Sequence, residues 1–146
     1  MKPDWILIAN ASHARLLEHR PGKPLTLLQT FEHPQSRRKA GELGTTKAGH
    51  EFGASGFAGA AYYSRVNAKD KEQIRFAREL AEMLEQEARQ NTFQAVSLFA
   101  SSPFLGELKQ ELGDMTAQLL TTACDIDLTR VGLVELAPRI AEATAR

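Results

Sequence analysis

One cysteine, Cys124, is all that the 146-residue chain contains, so there is no internal disulfide and no CxxC or Cys/His cluster for zinc. The four histidines, His13, His19, His33 and His50, show neither HxxxH nor HExxH spacing. No apolar run approaches the ~20 residues that cross a bilayer, and the chain does not start with a basic segment followed by an apolar signal core. These absences lead to the expectation of a cytoplasmic protein with no membrane association, no cofactor and no metal. Charge of one sign is also missing: 18 Lys and Arg balance 18 Asp and Glu. With 42% hydrophobic and 25% charged residues, residues 1–146 fit one globular domain.

The neutral total conceals an uneven distribution. From Pro34 to Lys69, six basic residues face only Glu42 and Glu51, which leaves +4 on this stretch and −4 on the remainder. Six of the ten glycines fall between Gly41 and Gly59. No apolar period of 2 or 3.6 crosses them, so residues 33–69 are expected to form a long, flexible, glycine-rich loop. Its cations Arg37, Arg38, Lys39, Lys47, Arg65 and Lys69 alternate with Phe52, Phe57, Tyr62 and Tyr63. Phosphate contact and base stacking on single-stranded nucleic acid use that composition. The candidate nucleic-acid-binding residues are therefore Arg37, Arg38, Lys39, Lys47, Phe52, Phe57, Arg65 and Lys69. A solvated linker whose aromatics fold back on the core has the same composition.

The rest of the chain has clear periodicity. Trp5–Ala9 suits a strand buried on both faces. Ala14–His19 and Leu25–Glu32 follow as returning strands, separated by turns at Asn10–His13 and Pro21–Pro24. Leu25, Leu27 and Phe31 fall on one face of the third strand. Asp70 to Gln73 has capping-box spacing, and Ile74, Ala77, Ala81, Leu84 and Ala88 recur at helical steps through Arg89. Arg75 with Glu79, Arg78 with Glu82 and Glu85 with Arg89 stand four apart on its polar side. Phe93–Ala100 is a buried strand, Ser102–Leu112 a short helix ended by Gly113, and Leu119–Asp125 a strand or helix, the edge strand being favoured. Leu133–Ala145 is a last helix, with Pro138 kinking it or in its first turn. The expected core is Trp5, Ile6, Ile8, Leu27, Phe76, Leu80, Leu84, Val96, Leu98 and Leu108.

These elements make an α/β sandwich with a mixed five-stranded sheet. A right-handed crossover places the strand at Phe93 parallel to the first, the ribonuclease-H-like arrangement. A two-metal nuclease of that fold needs carboxylates at the ends of the first and fourth strands, but Asn10 follows the first, and Ser101 and Ser102 the fourth. The Gly53, Gly56, Gly59 spacing is not a GxGxxG phosphate cradle. Ser12 and His13 are adjacent and have no orienting carboxylate, so they do not read as nucleophile and base. His33 and His50 flank the loop, as solvated residues or phosphate contacts.

The stretches WILIANASHARLLEH, FEHP, FARELAEMLEQEARQNTFQAVSLFASSPFLGELKQEL and DIDLT resemble the bacterial host-attachment protein family, named for attachment to host cells. That family is similar to the central domain of archaeal and eukaryotic class-1 release factors. There, a long loop between the third strand and the long helix carries a Gly-Gly-Gln motif that promotes peptidyl-tRNA hydrolysis. The resemblance implies a release-factor-like fold and an RNA-, tRNA- or ribosome-associated module acting through the loop. No Gly-Gly-Gln occurs here, so hydrolysis does not carry over and a non-enzymatic role is the expectation. The other reading is a small structural or regulatory domain that binds another protein and acts indirectly in attachment.

Overall fold

A computed structural model describes residues 2–33 and 58–144. Three strands open the chain: β1 (Asp4–Ala9), β2 (His13–His19) and β3 (Thr26–Glu32). A long helix α1 (Ala58–Arg89) leads to β4 (Ala95–Ala100), the short helices α2 (Phe104–Glu111) and α3 (Asp114–Leu119), β5 (Leu120–Asp125) and α4 (Leu133–Thr144). The sheet order is β3-β2-β1-β4-β5. β1 and β2 are antiparallel, with Ile6 opposite Leu17, whereas β1 and β4 are parallel, with Leu7 opposite Leu98, and β5 continues parallel beside β4. This is the mixed sheet and crossover that the periodicity implies.

β1 is buried from Trp5 to Ala9 because it serves two cores at once. Trp5, Leu7 and Ala9 face α1 and α2, packing with Phe76, Leu80, Leu84 and Leu108. Ile6 and Ile8 point the other way, into a smaller cluster with Leu17, Phe99 and Leu136 of α4. The two-residue alternation of a strand thus divides one apolar run between two helical layers. Trp5 also stacks on Phe93, with ring centroids 4.6 Å apart.

Four expectations are corrected. α1 begins at Ala58, so Arg65 and Lys69 lie on a helix and the Asp70–Gln73 spacing is internal to it. Alanines at 58, 60, 61 and 68 favour helix even where the apolar period is lost. Leu27 is 40% exposed and outside the core. The β2–β3 register shifts between Leu16 and Leu17, so Leu16 faces Gln29 and Leu17 faces Leu27, and this bulge leaves Leu28 unpaired and breaks the alternation. On α1, Arg75 pairs with Glu72 at 3.1 Å and Arg78 with Glu111 of α2 at 3.1 Å, so of the expected pairs only Glu85 with Arg89 forms, at 2.9 Å.

The fourth concerns Gly113, which does not cap α2 but precedes α3, a helix not anticipated from the sequence. Glu85 reaches from α1 to accept the amides of Met115 and Thr116 at 3.3 and 3.0 Å and the Thr116 hydroxyl at 2.9 Å. An acceptor from a distant helix therefore does what an N-cap side chain does locally. The Thr116 amide is the foremost of the contacts that hold the Glu85 carboxyl below its usual pKa. A Cβ on Gly113 would overlap the Glu85 carboxyl group, so only glycine lets the carboxylate sit there. The C-terminus of α1 is closed by Asn91 at φ 61, with the Thr92 amide bonded to the Glu87 carbonyl and the Asn91 amide to that of Ala88, a Schellman arrangement.

Two outcomes test this packing by urea unfolding. Leu84→Ala removes a fully buried side chain and should cost on the order of 2–5 kcal/mol. Gly113→Ala should displace Glu85 and cost about 0.5–2 kcal/mol, the value of a helix cap. The Gly113 penalty should vanish in a Glu85→Ala background, whereas an additive double mutant would show that the two residues are uncoupled.

Candidate functional site at the carboxyl ends of the parallel strands

Parallel strands bring their carboxyl ends to one edge of the sheet, and in open α/β sheets ligands bind there. Here β1 is followed by Asn10, β4 by Ser101 and Ser102, and β5 by Ile126 and Asp127. A cleft of about 340 Å³ opens at this edge, lined by residues 10–13, Gln73 of α1, residues 101–104 and Arg130.

Asn10 organises one side. Its Oδ1 accepts the amides of Ser12 and His13, both at 2.8 Å, which forms the tight turn into β2. Its Nδ2 donates to Asp127 Oδ2 at 3.2 Å and to Thr129 Oγ1 at 3.1 Å. Asp127 Oδ1 in turn accepts the amide and hydroxyl of Thr129 at 2.9 and 2.7 Å. Desolvation works against the Asp127 anion, but the Thr129 bonds, the Asn10 amide and the Arg130 charge outweigh it and hold the carboxyl below its usual pKa. Asp125 is lowered by the Ser102 hydroxyl at 2.7 Å and then by the Ser102 amide at 3.0 Å. Arg15 of β2 donates to the carbonyls of Leu128, Thr129 and Val131, which fixes the loop carrying Arg130.

Both carboxylates at this edge are thus hydrogen-bond hubs of the surrounding loops. Among the described residues no group of three His, Cys, Asp or Glu is placed to hold a metal ion. Ser12 and His13 do not pair: His13 Nε2 lies 3.3 Å from Glu32, and the Ser12 amide bonds Asn10. Cys124 is half-buried, its Sγ 3.8 Å from the Ala143 carbonyl.

His33 is neither solvated nor poised for phosphate, as the sequence allowed; it is 4% exposed. Its amide bonds the Ser12 carbonyl at 3.0 Å, its Nε2 meets Glu72 of α1 at 2.8 Å, and its ring stacks on Phe76 at 5.2 Å. The apolar face of Phe76 and the Glu72 carboxylate give the ring a better environment than water, and no local pattern in FEHP announces that. The residue where the glycine-rich stretch begins is therefore locked to β2 and α1 beside the cleft. Arg37, Arg38, Lys39, Lys47, Phe52, Phe57 and His50 lie outside the described residues, while Arg65 and Lys69 stand one turn apart on α1. Gln73, Ser101 and Arg130 were not singled out as site residues. Proximity to the ends of apolar runs flags Ser101, but only the fold brings the other two to the same place.

Asn10→Asp tests the role of the asparagine. The substitution removes a donor pair and sets a second carboxylate about 3 Å from Asp127. It should cost on the order of 0.5–1.5 kcal/mol at neutral pH, the value of a solvent-accessible hydrogen bond replaced by a screened repulsion. Protonating one of the two carboxylates on acidification relieves the repulsion, so the deficit relative to the parent protein should shrink as pH falls from 7 towards 4. A pH-independent deficit in chemical denaturation would contradict the arrangement.

The fold has a counterpart among solved structures. An archaeal translation termination factor, aRF1, superposes with a TM-score of 0.54 at 13% identity over 99% of this chain, which spans about a third (35%) of that factor. No curated protein sequence matches the chain. Among the described residues no helix is long and apolar enough to cross a membrane. The family described as "protein required for attachment to host cells" matches residues 5–140, nearly the whole chain, and this protein belongs to it.

Proposed function

We propose that this protein is a cytoplasmic RNA-, tRNA- or ribosome-associated module of release-factor-like fold that acts through its basic, glycine-rich segment. The observation that carries the reading is positional. The basic stretch, residues 34–69, starts between β3 and α1 of a fold shared with a translation termination factor and runs on into α1, and the residue just before it, His33, is hydrogen-bonded to Glu72 of α1. A polyanion would meet concentrated positive charge on an otherwise acidic molecule, which favours encounter with nucleic acid without requiring a basic protein. Peptidyl-tRNA hydrolysis is not part of the proposal, since no Gly-Gly-Gln occurs in the chain. A role in attachment to host cells would then be indirect, through translation or RNA. The exposed Leu27 and Leu28 on the edge strand β3 favour the second reading, a protein-binding domain.

Ribosome co-sedimentation over a range of salt concentrations discriminates the two. Replacing Arg37, Arg38 and Lys39 together by Ala should weaken binding and lower the salt slope by roughly 2, at about 0.7 per phosphate contact on single strands. Phe52→Ala with Phe57→Ala should lower affinity with the slope intact, because stacking releases no counterions. Unchanged binding in both variants, with a protein partner retained, would favour the protein-binding reading.

A further inference from the structure

We propose that the cleft at the carboxyl ends of β1 and β4 is a phosphate-binding site and, resting on the function proposed above, that it takes a backbone phosphate of RNA. Among the described residues, four polar side chains lining this cleft have no hydrogen-bond partner: the hydroxyls of Ser12 and Ser101, the Gln73 amide and the Arg130 guanidinium. They come from the β1–β2 turn, the end of β4, α1 and the loop after β5, so the fold alone gathers them. No carboxylate belongs to the lining. The nearest acids, Asp125 and Asp127, are occupied by Ser102, Thr129 and Asn10, and the Arg130 charge is felt at Asp127 without an ion pair between them. Helix α2 begins at the same wall, and no side chain caps its first turn.

The chemistry of these groups selects the ligand. Arg and the two hydroxyls are donors, and Gln73 adds an amide, so a cation would find no free anionic oxygen. A tetrahedral oxyanion suits a guanidinium fork, hydroxyls and the start of a helix gathered along one cleft. The RNA assignment follows from position. The Ser12 whose hydroxyl lines the cleft accepts, through its carbonyl, the amide of His33, so the basic segment departs from the cleft's rim. A strand engaged by that segment has the cleft beside it.

The test uses the full chain in a ¹⁵N–¹H correlation titration with inorganic phosphate, adenosine monophosphate and a short single-stranded oligoribonucleotide, together with the salt dependence of RNA binding. The amides of residues 11–13, 101, 102, 104 and 105 should shift saturably with phosphate. Arg130→Gln, at an exposed position that should leave the spectrum dispersed, should weaken that binding roughly tenfold or more, and Arg130→Lys less. Arg130→Gln should also lower the RNA salt slope by about 0.7, while the Arg37, Arg38, Lys39 triple variant leaves the phosphate shifts unchanged. Absence of saturable shifts at these amides overturns the cleft as a phosphate site. If the triple variant still loses RNA affinity in that case, the function proposed above stands without the cleft. Saturable phosphate and nucleotide shifts with an RNA slope untouched by Arg130→Gln would overturn the RNA assignment and give the cleft to a free phosphomonoester.

Discussion

The parallel pairing of β1 with β4 is the constraint from which the architecture follows. Antiparallel neighbours are joined by a short turn, as β1 to β2, but a parallel neighbour requires the chain to return to the starting edge of the sheet. The 32-residue α1 makes that return across one face, and this face acquires the larger core. The residues between β3 and α1 form the connection that is left over. The same pairing places the ends of β1, β4 and β5 together and so creates the cleft. The basic stretch and the cleft therefore have one topological cause.

Carboxylates do structural duty throughout. Glu85 caps α3, Asp125 holds the turn after β4, and Asp127 joins the β1–β2 turn to the loop that carries Arg130. Hydrogen bonding favours the charged form of each, so the folded-state pKa lies below the unfolded one. The stabilisation they bring is fully present above the ordinary carboxylate range, near pH 4, and is lost as pH falls through the lowered folded values. This use of acids also separates the site from a two-metal nuclease site, in which carboxylates must keep oxygens free.

The likeness to a translation termination factor extends over the full fold at 13% identity, a level at which architecture persists and side-chain chemistry need not. Function must then be argued from this chain's own residues. Those residues include the basic stretch 34–69 and the side chains that line the cleft at the carboxyl ends of β1 and β4.

Local pattern was enough for much of the fold. The apolar runs at Trp5–Ala9 and Ala95–Ala100, the two reversals around β2 and the helical period through Arg89 each follow from neighbouring residues, and with the crossover rule they yield the sheet and the parallel partner of β1. Leu27 falls outside the core because the bulge beside it on β3 depends on how two strands meet, and His33 is buried by Glu72 and Phe76, which stand 39 and 43 residues away in the chain. Gly113 resembled a helix end until Glu85 filled the space its missing side chain leaves. The site itself was the least legible part: Asn10 and Asp127 are 117 residues apart in the chain and 3.2 Å apart in the fold. Periodicity reports which way a side chain faces, since that depends on local backbone geometry; which groups meet across an edge depends on how the elements pack, and only the tertiary structure decided that.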